Sequence, residues 1–190
     1  MNAPGGEPDD AALIAAALGG DNNAFSALMG RHNDALYRLV RRYVGEAEEA
    51  FDLVQETFVA CWTALGSFDR ARPFRAWLRR IALNKCRDWT RRRRVRQFFF
   101  GATSIEPLAS KLGEVASSDE TSLEVHLAAL DAAIAMLPPA LKEPLLLTVF
   151  EQLTHDDAAR MLKISAKAVE TRVYRAKQKL RTLLMINEGA

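Results

Sequence analysis

The stretch THDDAARMLKISAKAVETRVYRAKQKL, residues 154–180, predicts two helices joined by a tight turn. Thr154, with Asp157 three residues later, is typical of a helix start, because the hydroxyl can accept a hydrogen bond from a free backbone N–H. Residues 163–164 are then expected to turn the chain, and Ser165 to cap the next helix. A short helix, a turn and a longer helix form the arrangement that places a helix in the DNA major groove.

The longer helix has one apolar side and one polar side. Its apolar side is Val169, Val173, Ala176, Leu180 and Leu183, spaced by three and four residues. The polar groups and their flanks are Lys167, Glu170, Thr171, Arg172, Tyr174, Arg175, Gln178 and Arg181. Arginine and lysine suit guanine or phosphate, threonine can donate or accept, and glutamate can accept from cytosine. The pattern favours a DNA-reading helix over its alternative, an ordinary solvated helix of a bundle.

The net charge of +2 hides large local differences. Residues 1–30 carry four acids and no Lys or Arg, and residues 31–100 carry 16 bases against eight acids. Residues 101–159 carry two bases against ten acids, whereas residues 160–190 carry eight against two. Two basic regions separated by an acidic one indicate two surfaces that bind a polyanion.

The rest of the chain also has helical periodicity, and no run alternates as a strand does. We therefore predict an all-α fold of two small helical domains joined by a flexible linker, the second containing the helix-turn-helix. The predicted parts are a tail or short helix at 1–20, a first domain at 21–97, a linker at 98–122 and a second domain at 123–190. A length of 190 residues leaves room for little else.

The third and fourth predicted helices each have a distinct charged side. The third, from about residue 46 to 65, is expected to bury Phe51, Val54, Phe58, Cys61, Trp62 and Leu65 and to expose Glu48, Glu49, Asp52 and Glu56. The fourth, after Pro73, is expected to bury Phe74, Trp77, Leu78, Ile81 and Trp89, with Arg75, Arg79, Arg80, Arg87 and Arg91 to Arg94 outside. Trp77 on this stripe favours a core position over a stacking platform.

Several classes of protein do not fit the sequence. No apolar run approaches the roughly 18 to 20 residues of a membrane span, and the acidic start differs from a signal peptide. Cys61 and Cys86 are single and lie in apolar patterns, so buried free thiols are expected rather than a metal or redox site. No catalytic constellation or phosphate loop stands out. We expect a cytoplasmic protein that is not an enzyme and has no cofactor.

Three motifs together resemble those of extracytoplasmic-function sigma factors of the sigma-70 family. DLVQETF at 52–58 is similar to the family's D-[LV]-V-Q-[ED]-x-F signature, and FRAWL at 74–78 with IALN at 81–84 is similar to F-x-x-W-L-x-x-I-A-x-N. Leu137-Pro138 and residues 153–180 resemble the domain that reads the promoter minus-35 element. The resemblance covers about residues 21–97 and 123–185.

The resemblance implies a function and a set of partners. The first domain would melt promoter DNA, and Asp52, Gln55 and Glu56 would contact the β′ clamp helices of core RNA polymerase. The other implied partners are the β flap, an anti-sigma factor, double-stranded promoter DNA and the single non-template strand. The free chain is expected to be a monomer.

The resemblance also assigns residues to the minus-10 element. The loop Phe68, Asp69, Arg70, Ala71, Arg72 and Pro73 would capture a flipped base, with Asn84 near the point of melting. Unpairing and unstacking a base cost a few kcal/mol, which such a pocket can offset. Arg79, Arg80, Arg87 and Arg91 to Arg94 would bind phosphates without reading sequence. The alternative function is a stand-alone helix-turn-helix regulator, which would bind duplex DNA without polymerase.

The sequence departs from the family pattern in three places. Lys163 stands where the turn of the helix-turn-helix usually has glycine, so its backbone must avoid the left-handed region or adopt it at a cost. Glu170 stands where a basic residue is common, which predicts a different minus-35 sequence. Residues 98–100 are three phenylalanines, for which packing on the first domain is favoured over a docking site for polymerase or an inhibitor.

Overall fold

A computed structural model describes residues 8–99 and 119–187 of the chain. The described residues form eight α-helices. They are α1 Asp10–Leu18, α2 Asn22–Val44, α3 Ala47–Ala64, α4 Phe74–Phe99, α5 Asp119–Met136, α6 Pro139–Leu145, α7 His155–Leu162 and α8 Ala166–Asn187, with a 3-10 turn at Leu65–Ser67 and a π-turn at Leu146–Phe150. We refer to α1–α4 as the N-terminal block and to α5–α8 as the C-terminal block.

The first two helices each begin at an aspartate that caps the free backbone N–H groups. The carboxylate of Asp9 accepts from the N–H of Ala12 at 2.8 Å, and that of Asp21 accepts from the N–H of Asn23 at 2.9 Å. α2 ends at Gly45, whose φ of 88° lies in the left-handed region that glycine adopts without strain. α1 and α2 thus lie within the tail predicted at 1–20 and the first domain predicted to begin at residue 21.

The buried side of α3 differs from the prediction. Phe51 and Trp62 were expected in the core, but they are 59% and 42% exposed. Leu53 and Thr57 are buried instead, and the Thr57 hydroxyl donates to the carbonyl of Leu53 at 2.6 Å, which satisfies a polar group in the core. The other four predicted core residues, Val54, Phe58, Cys61 and Leu65, are buried, so the prediction is wrong at the two aromatic residues and confirmed for the rest of the stripe.

α4 follows the prediction except at one arginine. Phe74, Leu78 and Trp89 are buried, and Trp77 is half-buried against the core, as predicted. The prediction that Arg79 lies on the outer side is wrong, because its side chain is only 7% exposed. It is covered by Glu151 of the C-terminal block, a partner that local periodicity does not reveal.

The predicted helix-turn-helix is confirmed. The hydroxyl of Thr154 accepts from the N–H of Asp157 at 3.1 Å at the start of α7, and the hydroxyl of Ser165 accepts from the N–H of Ala168 at 3.1 Å at the start of α8. The predicted apolar stripe of α8 packs inward: Val169, Val173, Ala176 and Leu180 are buried, and Leu183 is partly buried against the core.

The helices on either side of the predicted linker extend into it. α4 continues through Phe99, and α5 begins at Asp119, while residues 100–118 lie outside the described part of the chain. Phe98 and Phe99 are 84% and 73% exposed, so the predicted packing of these two rings on the first domain is wrong. Phe100, the third ring of that prediction, lies outside the described residues.

The two blocks contact each other along α2 and α4. α2 packs against α5 and the π-turn, and a Cβ atom added to Gly45 would lie 2.7 Å from the Cβ of Ala135. Within the described ranges, no helix is both long enough and apolar enough to cross a bilayer.

Candidate nucleic-acid and polymerase interfaces

The polar side of α8 is open to solvent. Lys167, Glu170, Tyr174, Arg175 and Gln178 are exposed, while Thr171 and Arg172 are partly covered. Lys167 donates to Glu170 at 2.8 Å, which holds the pKa of that carboxyl below its ordinary value. The predicted minus-35 residues therefore share one accessible surface, and the contacts between them are local to the helix.

The turn before α8 adopts the left-handed conformation. Lys163 has φ 56° and ψ 46° and ends α7, with its N–H donating toward the carbonyl of Ala159. Of the two possibilities that the sequence left open, the chain adopts the strained one. A non-glycine residue in this region costs about 1 kcal/mol or more, so the turn is held by the packing of α7 on α8.

In the predicted minus-10 loop, Phe68 anchors the loop to the core and Asp69 holds its conformation. Phe68 is buried, with its ring 4.9 Å from that of Trp77 and 5.6 Å from that of Phe74, so the expectation that Phe68 faces DNA does not fit the structure. Asp69 accepts from the N–H of Ala71 and from Nε of Arg72, both at 3.0 Å. The exposed residues 69–73 are thus presented on a folded loop.

Some of the predicted phosphate-binding groups on α4 are accessible. Arg80, Asn84 and Arg91 are exposed. Arg91 forms an ion pair with Asp88, three residues before it on the same helix, at 3.2 Å. The amide oxygen of Asn84 accepts from Arg87 at 3.1 Å, which ties two predicted site residues together. These groups lie on one helix that follows the loop directly, as the prediction requires.

Two other arginines of α4 are engaged by carboxylates of the C-terminal block. Arg87 binds Glu143, a contact that raises the pKa of the guanidinium, whereas burial lowers the pKa of Arg79 even though Glu151 opposes the effect. Glu143 and Glu151 are 8% and 7% exposed. Sequence reasoning missed both acids, and the only signal for them was the acidic charge of residues 101–159.

Lys142 is a third residue that the sequence did not reveal. It is 4% exposed, and its ammonium donates to the carbonyls of Tyr43 at 2.6 Å and Ala135 at 2.7 Å. These carbonyls lie in the last turns of α2 and α5, where a positive charge complements the helix dipole. Burial nevertheless lowers the pKa of Lys142 to about 8.

The predicted polymerase-binding residues line a shallow groove on α3. Asp52, Gln55 and Glu56 share this groove with Val59, Ala60 and Lys85, and Lys85 pairs with Glu56 at 3.2 Å. Phe51 and Val59, at 59% and 67% exposed, add apolar area beside the acids. An acidic face with exposed apolar side chains is suited to a protein partner rather than to DNA.

The two thiols are buried and free, as predicted. Burial raises the pKa of Cys61 and of Cys86 to about 12, so neither is a thiolate at neutral pH.

Comparison with known proteins agrees with this arrangement of surfaces. The family model for sigma-70 region 2 matches residues 28–96, and that for sigma-70 region 4 matches residues 127–180. The RNA polymerase sigma factor NccH of Alcaligenes xylosoxydans xylosoxydans is 41% identical over 94% of this chain and 96% of its own length. The RNA polymerase sigma factor CnrH of Cupriavidus metallidurans is also 41% identical, over 94% of this chain and 95% of its own.

Solved structures support the same relationship over both blocks. CnrH in complex with the cytosolic domain of CnrY has a TM-score of 0.66 at 35% identity, covering 93% of this chain and 97% of that one. The sigma factor RpoE in complex with the anti-sigma factor NepR, from Bartonella quintana, has a TM-score of 0.65 at 25% identity, covering 85% and 97%.

The chain belongs to the sigma-70 family of RNA polymerase sigma factors, in the extracytoplasmic-function group. It is an alternative sigma factor that directs RNA polymerase to promoters, and the stand-alone regulator is not favoured. Sigma factors are DNA-binding transcription initiation factors, and the helix-turn-helix and the two basic regions agree with that role.

Proposed function

We propose that the chain divides promoter recognition between its two blocks. The domain at 21–97 melts the minus-10 region, and the domain at 123–190 reads the minus-35 element in duplex DNA. The observation that carries this proposal is the open polar face of α8, because its exposed arginine, lysine and glutamine have the chemistry of base readout. The chain acts in the cytoplasm, without covalent chemistry of its own.

The minus-10 contacts are carried by the exposed loop and the arginines of α4. Asp69 and Arg70 lie at the loop surface, and the aromatic cluster beneath Phe68 fixes that surface in position for a flipped base. Phosphates of the single strand are bound by Arg80 and Arg91, and Asn84 lies between them on the same helix. Opening of the duplex is thus driven by base capture on a preformed loop rather than by an enzymatic step.

Core polymerase is bound through the groove of α3. Asp52, Gln55 and Glu56 supply the charge that a basic clamp surface would meet, and Phe51 and Val59 supply the adjoining apolar area. An anti-sigma factor is a further partner, since the similar sigma factor RpoE was solved with the anti-sigma factor NepR and CnrH with the cytosolic domain of CnrY. The free chain acts as a monomer until one of these partners binds.

Transcription with purified components tests the proposal. Core polymerase with this chain should initiate from a subset of promoters in a genomic library, and core polymerase alone should not. Replacing Asp52 and Glu56 with lysine should abolish initiation by preventing association with polymerase, whereas Glu48→Lys, an exposed charge change on the same helix, should leave most activity. Initiation that is unaffected by addition of the chain at every promoter would refute the function.

Variants of the loop distinguish recognition of the minus-10 element from recognition of the minus-35 element. Changes at Asp69 or Arg70 should alter the preferred minus-10 sequence and leave the minus-35 preference as it was. Equal loss at every sequence would instead assign these residues to phosphate contacts. Footprinting of the chain without polymerase provides the contrast, because a stand-alone regulator protects its site unaided.

A further inference from the structure

Lys167 and Glu170 form an ion pair on the exposed side of α8, near its start. Nζ of Lys167 lies 2.8 Å from a carboxylate oxygen of Glu170, and the two side chains are 80% and 55% exposed. They are the second and fifth residues of the helix, and the first turns of a recognition helix are the part that contacts base edges. The pair therefore stands where α8 would meet the bases, and it brings a negative charge toward a polyanion.

The ammonium of Lys167 keeps the carboxylate ionised and offsets its charge. Its hydrogen bond holds the pKa of Glu170 below the ordinary value, so the carboxylate oxygens only accept hydrogen bonds at neutral pH. The two charges cancel, which reduces the repulsion between Glu170 and DNA phosphates. The ammonium has three N–H groups and gives one of them to Glu170, so two remain for other acceptors. The pair is thus a unit that accepts on one side and donates on the other.

A C·G base pair presents the complementary pattern in the major groove. The amino group of cytosine donates there, while O6 and N7 of guanine accept. The amino nitrogen and O6 are hydrogen-bond partners within the base pair, so they lie about 2.9 Å apart. This spacing is close to the 2.8 Å between Nζ and the carboxylate oxygen. A carboxylate over cytosine and an ammonium over guanine can therefore each meet a complementary group without breaking their own contact.

The other base pairs match this unit less well. Adenine also offers an amino group, but its N7 accepts beside that group and would repel the carboxylate. The methyl group of thymine also takes the place at which guanine offers N7 to the ammonium. Guanine or thymine under the carboxylate would present only acceptors. The chemistry of the unit therefore selects C·G in one orientation.

We propose that Lys167 and Glu170 together read one C·G base pair of the minus-35 element, with Glu170 accepting from the cytosine and Lys167 donating to the guanine paired with it. The proposal rests on the proposed function, in which α8 reads duplex DNA, and it adds the identity of one base pair that the promoter contains. The carboxylate contributes specificity rather than general affinity, because nonspecific binding depends on neutralising phosphates.

Promoter selection by the holoenzyme, from a library randomised upstream of the start site, tests the proposal. The wild type should favour C·G at one minus-35 position by about 5- to 150-fold, the discrimination of a good side-chain contact to a base. Glu170→Gln should replace the preference for cytosine at that position with one for adenine, because a glutamine amide can bind N6 and N7 of adenine. The proposal is wrong if the wild type favours C·G at no minus-35 position, or if Glu170→Gln leaves the preference unchanged.

Lys167→Ala tests whether both side chains read the same base pair. It should weaken selection at the position that Glu170→Gln changes, and a loss confined to another position would contradict the proposal. A 7-deazaguanine at that position, which lacks the N7 acceptor, should weaken binding of the wild-type holoenzyme but not of the Lys167→Ala holoenzyme. Equal weakening of both would assign the guanine to another donor. Both side chains are exposed, so the fold should be retained, which circular dichroism checks.

Asp156→Asn is the matched control for charge. Asp156 is exposed in the first turn of α7, and the change removes one negative charge from the same block as Glu170→Gln does. It should strengthen binding to all sequences alike and leave every positional preference as it was. A shift toward adenine in both variants would reduce the effect to charge and overturn the proposal.

The same selection separates this inference from the proposed function. If core polymerase with the wild type selects no promoter, the proposed function fails and the inference falls with it. Selection of promoters that show no C·G preference in the minus-35 element refutes the inference alone.

Discussion

The two surfaces predicted to bind DNA differ in the contacts that their charged groups make. On α8, the charged groups are exposed, and the pair of Lys167 and Glu170 lies within one helix. On α4, Arg79 and Arg87 pair with buried acids from the other block. The polar side of α8 is therefore open as it stands, whereas two arginines of α4 already have carboxylate partners from the other block. The charged groups of α8 pair within their own helix, whereas Arg79 and Arg87 of α4 pair across the two blocks.

The largest effect is expected at the open surface. Arg175→Ala should weaken minus-35 recognition by about 1 to 3 kcal/mol, because a bidentate contact between arginine and a base carries that much discrimination. Promoter selection by the holoenzyme from a library randomised upstream of the start site measures the preference.

Arg160→Ala provides the comparison for Arg175→Ala. It removes the same charge from α7, where the side chain is 75% exposed, and it should lower binding to all sequences alike. If Arg175→Ala leaves the preference unchanged at every position, Arg175 does not read a base.

A smaller effect, about 2 kcal/mol, is expected at the contact between the two blocks from the buried ammonium of Lys142. Its pKa is about 8 in the folded chain and near 10.5 when unfolded, so the unfolded chain binds more protons between these values. The stability of the wild type relative to Lys142→Met should therefore rise with pH, by about 2 kcal/mol from pH 7 to 9.5.

Urea denaturation of the two chains at several pH values measures this difference. Subtracting the variant cancels the contributions of Tyr43 and Cys61, whose raised pKa values lower stability at alkaline pH in both chains. If the difference in free energy of unfolding between the two chains does not change with pH, the Lys142 ammonium is hydrated in the folded chain and its buried contact does not form.

The turn next to the open surface should give a still smaller effect. Lys163→Gly should stabilise the protein by about 0.5 to 1 kcal/mol, because glycine relieves the left-handed strain but loses more entropy on folding. Thermal unfolding measures the gain. Lys163→Ala removes the same side chain without relieving the backbone, so a gain of equal size in that variant would contradict the explanation.

The smallest effect is expected for the exposed pair on α8. Lys167→Ala should leave the unfolding midpoint unchanged within error at physiological salt, since solvent screens pairs of this kind. Arg87→Ala, which leaves the carboxylate of Glu143 buried without its guanidinium, should lower the midpoint clearly. Similar shifts for both variants would contradict the expected difference between the exposed Lys167–Glu170 pair and the Arg87–Glu143 pair, whose carboxylate is buried.

The helices and the helix-turn-helix follow from local rules, which is why the sequence predicts them well. The caps at Asp21, Thr154 and Ser165 act within three residues, and the stripe of α8 has only one apolar side to bury. In α3, by contrast, apolar residues lie on several sides, so periodicity alone could not decide whether Phe51 or Leu53 enters the core.

The contact between the two blocks depends on side-chain pairs that no local pattern contains. Arg79 and Glu151 are 72 positions apart in the chain, and either side chain alone is typical of a solvated helix face. The charge of the acidic region indicated that some basic partner was available, but it did not say which arginines would be engaged. The sites assigned by motif, at residues 52, 55 and 56 and in the loop at 69–73, stay predictions about partners that bind from outside.

The π-turn at Leu146–Phe150 determines where the C-terminal block directs its charge. The N–H of Glu151 donates to the carbonyl of Leu146, five residues back, at 3.0 Å, so this turn contains one residue more than a regular α-helical turn. One additional residue rotates everything that follows by about 100° around the helix axis. The extra residue in the turn thus directs the side chain of Glu151 toward Arg75 and Arg79 of α4.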